Sequence, residues 1–278
     1  MRVTQLRVYP VKSMAGMPVT SVAVQPWGLA GDRRYAVVDA DGEKVTAREA
    51  PALLGLTATV LSGPSGASGA DGILLADRDG HALEVAAPRE AEPTRVAHSR
   101  QGTALPCGEE ASSWLSARLG RPVRLVWQPD PRARPVSLDL GGQPGDTLSL
   151  ADAGPLLLTT EPSLTQLNAW IADTDPASAT MTHERFRPNV VIDGPGLAPF
   201  AEDRWPEVTI GDVRYRHTMI CDRCVMTTID PVTLSKGREP IRTLAAHRKW
   251  DGATWFGVRL VPLTRGSISI GDRVSPHG

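Results

Sequence analysis

Glycine and proline interrupt this chain every few positions, supplying 26 and 24 of its 278 residues. Glycine weakens a helix interior and proline breaks it, so the chain is restricted to short strands and turns with few long helices. Hydrophobic residues make up 41% of the total, enough for a buried core, and charged residues 22%. The length suits one large domain or two modest ones.

The apolar spacing of Val3, Leu6 and Val8, then of Val22 and Val24, reads as strands. Tyr35 to Val38 is a third, closed by the hairpin-type turn Asp39-Ala40-Asp41-Gly42. Gly63 to Gly72 is low in complexity and reads as an exposed loop. A helix is expected from Glu109 to Leu119, with Ala111, Trp114, Leu115 and Leu119 on one face and Gly120 as its stop. Gln128 to Asp146, rich in proline and glycine, reads as a long irregular connection. A second helix should begin near Pro162, with Leu164, Leu167, Trp170 and Ile171 inward. Strands follow at Asn189–Ile192 and Val208–Arg216, a third helix at Pro240–Arg248, and closing strands at Arg259–Pro262 and Ser267–Val274. The sum is a strand-dominated α+β protein, a barrel with a few packed helices.

With 30 basic and 31 acidic residues the net charge is −1, which gives no overall footprint for a nucleic-acid polymer. No apolar run approaches the roughly 18 residues of a membrane span, and the first residues lack the apolar centre of a signal peptide. Three cysteines, Cys107, Cys221 and Cys224, make no disulfide framework. The expectation is a cytoplasmic protein without a membrane segment.

The sharpest local feature is Cys221-Asp222-Arg223-Cys224. His217 and the two cysteines could give zinc three ligands, but no second cysteine pair completes a structural site. The elements of a nucleobase deaminase are missing. A thioredoxin-type pair should open a helix, whereas strand-like residues flank this one on both sides. Two small buried cysteines are the plain alternative, and Arg223 between them favours a thiolate. Tyr9-Pro10-Val11-Lys12-Ser13 places a lysine and a hydroxyl just after a strand, a pattern suited to an anion. Arg33 and Arg187 stand in similar contexts, and judged alone each reads as a surface or salt-bridged arginine. Dinucleotide and Walker A glycine patterns are absent. His183, His217 and His247 are scattered.

Seven segments taken in order resemble the MOSC-domain family, particularly its amidoxime-reducing branch and the bacterial reductases of N-hydroxylated bases. They are Tyr9-Pro10-Val11-Lys12-Ser13, Gly31-Asp32-Arg33, Thr46-Ala47-Arg48, Phe186-Arg187-Pro188-Asn189, Cys221-Asp222-Arg223-Cys224 with Thr227 to Pro231, Phe256-Gly257, and Gly266 to Asp272. The resemblance implies a MOSC β-barrel (121–278) preceded by a smaller MOSC N-terminal α/β domain (1–120), whose first strands contribute to the cofactor site. It implies the molybdenum cofactor, Mo-molybdopterin, with Cys224 as the metal ligand and catalytic centre. Lys12, Ser13, Arg33, Arg187, Asn189, Asp222 and Arg223 match the cofactor-anchoring positions. Two departures stand out: the family also makes cofactor contacts around Asp152-Ala153-Gly154, but the hydroxyl residues of relatives are replaced there, so a contact would use the backbone, and Arg259 stands where eukaryotic members have tyrosine.

The chemistry agrees with that implication. Lysine and arginine from separate loops can neutralise a phosphate, asparagine suits a pterin edge, and a thiolate is a soft metal ligand. The expected activity is reduction of hydroxylamines, amidoximes and N-hydroxylated purines, with electrons from a separate flavoprotein or iron–sulfur protein. Asp230 is either a proton donor or a turn residue. The rival readings are sulfur transfer through a cysteine persulfide and a non-enzymatic cofactor carrier.

Overall fold

The computed structural model describes residues 1–61, 72–98 and 101–278. In the first half β1 (Arg2–Val8), β2 (Ser21–Gln25), β3 (Tyr35–Val38), β4 (Thr57–Leu61), β5 (Gly72–Ala76), β6 (Ala82–Ala86), β7 (Thr94–His98) and β8 (Gln101–Pro106) lead into α1 (Glu109–Leu119) and β9 (Arg124–Trp127). The second half holds β10 (Leu156–Thr160), α2 (Glu161–Thr174), α3 (His183–Phe186), β11 (Val190–Asp193), β12 (Glu207–Ile210), β13 (Val213–Asp222), α4 (Ile241–His247), β14 (Ala253–Pro262), β15 (Gly266–Ser269) and β16 (Val274–His277).

The uneven spacing of Val3, Leu6 and Val8 has a physical cause. A register shift between Val3 and Gln5 inserts one residue opposite β11, so all three side chains still reach the core. The large sheet runs β1-β11-β10-β14-β13-β12-β16 and contains one parallel pair, β10 with β11, bridged through α2. Its ends meet. Val3 N donates to Asp272 O (3.0 Å), Gly271 N to Val3 O (2.9 Å) and Val274 N to Met1 O (3.0 Å), so the sheet closes into a barrel. Leu6, Leu158, Ile192, Ile210, Tyr215 and Leu260 fill it. A second sheet, β7-β8-β9-β3, and the meander β4-β5-β6 enclose another core around Val37, Leu53, Ile73, Leu115 and Leu125.

α1 starts and stops at the residues expected, with Gly120 left-handed at its end and Ala111 and Leu115 buried. α2 is capped by the Thr160 hydroxyl, which accepts from Ser163 N. The 128–146 connection is irregular, holding only two short 3₁₀ turns. Three expectations are corrected. The run Ser267–Val274 is two strands in different sheets, because the chain turns at Gly271 (φ +89°). Val208–Arg216 is a hairpin of β12 and β13 rather than one strand. A 3₁₀ turn, Val225–Thr228, follows Cys224 where strand was expected. The expected loop from Gly63 lies outside the described residues up to 71, and Gly72 opens β5. Among the described residues no helix is long and apolar enough to cross a membrane.

Candidate functional site

Three residues nominated from sequence sit in left-handed backbone: Ser13 (φ 71°), Arg33 (φ 48°) and Arg187 (φ 59°). Non-glycine residues pay on the order of 1–3 kcal/mol there, and such positions concentrate at functional sites. Arg187 ends α3, and Arg33 lies in the turn leading to β3. Ser13 follows Lys12, whose amide bonds Tyr35 O (2.8 Å). These turns aim side chains from distant segments at one cavity of about 290 Å³. Lys12, Ser13, Arg33, Arg187, Asn189, Asp222, Arg223 and Cys224 all line it.

Arg33 and Arg187 are mostly buried rather than surface residues, because Tyr9 lies against both. Their guanidinium carbons stand 4.5 and 4.3 Å from its ring centre. Asp32, fully buried, holds Arg33 Nη1 at 2.5 Å and accepts from Tyr9 N at 2.9 Å. The Asn189 amide is fully engaged inside the protein. Its oxygen accepts from Arg33 Nη1 (3.1 Å) and Leu157 N (3.2 Å), and its nitrogen donates to Asp32 (3.0 Å) and Arg7 O (3.2 Å). Asn189 therefore positions Arg33, leaving no side-chain valence for a ligand edge. Arg187 differs: Nη1 donates to Met14 O (2.6 Å), while Nε and Nη2 have no hydrogen bond among the described residues. Burial pushes its guanidinium down to about 10, still charged at neutral pH.

Lys12, 7% exposed, donates to Leu150 O (2.8 Å) and to Asp152. Burial pushes its ammonium down to about 8 against the pull of Asp152. Burial alone would raise the Asp152 carboxyl, but Lys12, Arg48 and Arg33 hold it well below the usual carboxylate range. Asp152 Oδ2 also faces Arg48 Nη2 at 3.5 Å, and Arg48 Nε donates to Cys224 Sγ at 3.4 Å. One line of contacts thus joins the sulfur to Lys12.

Cys224 follows β13, which is bulged between His217 and Met219 and between Ile220 and Asp222. Arg223 is the pin of this wall. Its Nε (2.8 Å) and Nη2 (2.6 Å) donate to Phe256 O and its Nη1 (3.1 Å) to Phe186 O. Asp222 is tied to β14 by Arg259. Cys221 is buried and donates to Asp222 O at 3.5 Å. His217 turns to Trp205 O (2.9 Å). Among the described residues only Asp77, Asp79 and His81 gather three donors close enough for one metal ion, so the zinc set of His217, Cys221 and Cys224 is not assembled. Asp230 is the turn residue. Its Oδ1 accepts from Val232 N and Thr233 N (2.8 Å each) and its Oδ2 from Arg185 (2.6 Å), bonds that hold it ionised and away from the cavity lining.

Sequence reasoning did not nominate Arg48, Arg185 or Arg259, which also line the cavity, nor the Asp152 carboxylate. The Thr46-Ala47-Arg48 segment was the available signal for Arg48. Lys12 and six arginines face two carboxylates, Asp152 and Asp222, giving a cationic cavity with one half-buried thiol in its wall.

Comparison with known proteins bears on this architecture. The MOSC N-terminal beta barrel domain matches residues 1–122 and the MOSC domain residues 145–275. The chain is 32% identical to human mitochondrial amidoxime-reducing component 1, over 98% of this chain and 82% of that protein. Human mitochondrial amidoxime reducing component 2 is 30% identical over 98% and 82%. A zebrafish molybdenum cofactor sulfurase is 31% identical over 98% of this chain but only 34% of its own length. With both domain families matched in order, and relatives above 30% identity along nearly the whole sequence, this chain belongs to the MOSC-domain family.

Proposed function

We propose that this protein is a molybdenum-cofactor-dependent reductase of N-oxygenated compounds. One observation carries the reading: a thiol, Cys224, shares a cationic cavity with a buried arginine, Arg187, that keeps two nitrogens without hydrogen-bond partners among the described residues. That donor set suits a cofactor with a soft metal at one end and a phosphate at the other. The likeness to amidoxime-reducing components supports the same assignment.

Bound there, the cofactor would supply two-electron reduction, with two protons, of an N–OH group to the amine and water. The residues divide the remaining work. Cys224 would offer the metal its thiolate. Lys12, Ser13, Arg33 and Arg187 would hold the phosphate, with Asn189 and Asp32 fixing Arg33. Arg223 and the Arg259–Asp222 pair fix the segment that carries Cys224, as outer-shell partners do at metal sites. Arg48, reaching from the sulfur to the Asp152 carboxylate beside Lys12, would stand between the metal and the phosphate. A separate donor protein would deliver the electrons.

The sulfurase relative supports a second reading, a persulfide on a cysteine, although this chain spans only a third of that protein. Metal, pterin and sulfane-sulfur analysis of protein from a cofactor-competent host separates the two. About one molybdenum per chain, with turnover of an amidoxime by a reduced dye, is the expected result. Persulfide without molybdenum would favour sulfur transfer, and stoichiometric zinc would overturn both readings.

A further inference from the structure

We propose that Asp152 is the resident counter-ion of the cavity, filling the anion seat made by Lys12 and Arg48 until a phosphate-bearing ligand displaces it. The two cations come from segments 36 residues apart, yet both point at one carboxylate. Lys12 is deeply buried, with 8% of its side chain exposed, and a charged lysine at that depth needs an anion beside it. Asp152 differs from its partner: 56% of its side chain is exposed, on the cavity side of the loop.

The main chain leading to Asp152 is pinned. Arg134 holds Ser149 O and, at 2.8 Å, Ala151 O. Leu150 N donates to Arg33 O (2.9 Å), and Leu150 O accepts from Lys12 (2.8 Å). Past Asp152, Ala153 and Pro155 are buried and Gly154 lies against Arg259 before β10 begins at Leu156, so the backbone is held on both sides of an exposed side chain. Rotation of the Asp152 side chain opens the seat without moving the anchored stretch. A phosphate oxygen arriving there meets the same two donors and keeps Lys12 charge-compensated. The carboxylate then turns to solvent, where its charge costs little. Asp152 thereby lowers the affinity of the empty cavity for stray anions and preserves the lysine charge while it waits.

This inference needs only that the cavity binds anions, so it stands or falls apart from the reductase reading. Calorimetric titration of cofactor-free protein with inorganic phosphate tests it, run well below pH 8 because Asp152 helps keep Lys12 protonated and the variants lose that help. Asp152→Asn should bind phosphate about tenfold more tightly than the parent. Asp152→Ser, smaller and uncharged, should do the same, and thermal melting reports whether each variant folds. A crystal structure of the parent with phosphate should show the carboxylate turned away from Lys12. Unchanged or weaker phosphate binding in folded variants would overturn the proposal, as would phosphate bound with Asp152 still on Lys12. Loss of pterin retention with phosphate binding unaltered would make Asp152 a reader of the pterin ring instead.

Discussion

Arg48 Nε donates a hydrogen bond to Cys224 Sγ at 3.4 Å, across 176 residues of sequence. Through Asp152 the same guanidinium is linked to Lys12, so the thiol and the deepest cation of the cavity belong to one network.

Cys224→Ala should retain less than about a tenth of the parent's molybdenum, because the other thiol in the wall, Cys221, is the buried one. Cys221→Ala should retain most of it, since Cys221 is buried and its thiol donates to a backbone carbonyl. Elemental analysis of protein from a cofactor-competent host decides the point. Equal loss in both variants would mean the wrong sulfur has been chosen.

Anion affinity should fall as pH rises through about 8. The Lys12 ammonium, ordinarily near 10.5, is held at about 8 by burial, so its positive charge is present below that value and lost above it. The unfolded chain keeps this proton to higher pH. Between pH 8 and 10.5 the unfolded state therefore binds more protons. This group costs stability below pH 8, and the cost is relieved as pH climbs through that window. Sulfate, whose own charge is constant across this range, is the probe. Lys12→Met should bind sulfate more weakly and with a flat profile.

Arg187→Ala gives up one backbone bond, to Met14 O, and should lose cofactor above all, whereas Arg134→Ala gives up two and should lose the more stability. Position in an irregular segment makes Arg134 look like a neutral control, but it is buried and holds the carbonyls of Ser149 and Ala151. Leaving buried carbonyls unsatisfied costs about 1–3 kcal/mol each. Pterin content should fall furthest in Arg187→Ala, and the urea midpoint should fall furthest in Arg134→Ala.

Gly257→Ala should destabilise the protein by about 2–4 kcal/mol, combining left-handed strain with overpacking. Gly257 has φ +72°, and a Cβ there would stand 2.7 Å from Leu158 O and 3.3 Å from Arg223 Nη2. Gly145, with φ +93° and open space around it, is the control; its alanine variant should lose only about 1 kcal/mol. Equal losses would mean that packing at Gly257 contributes nothing.

Much of the architecture was legible in order along the chain. Period-two and period-3.6 apolar patterns, with glycine and proline as punctuation, located α1 to the residue and placed strands near both ends of the chain, but left the strands from Thr57 to Thr160 unread. Where the patterns misled, a local device intervened. The turn at Gly271 splits a continuous apolar run, and the residues after Cys224 wind into a 3₁₀ turn despite their strand-like composition.

The sequence by itself determined which side chains are chemically able to serve: a pair of thiols, the lysine and arginines in recurring short segments, and the family to which they belong. Only the tertiary structure decided what each one does. Closing the barrel and folding the first strands onto the second half brought segments 12–48, 150–154, 185–189 and 221–227 around one cavity. Charge compensation is then a matter of ångströms rather than of sequence distance. That is why Asn189 became a brace for Arg33, Asp230 a turn, Asp152 a partner of Lys12, and Arg187 the buried cation with nitrogens to offer.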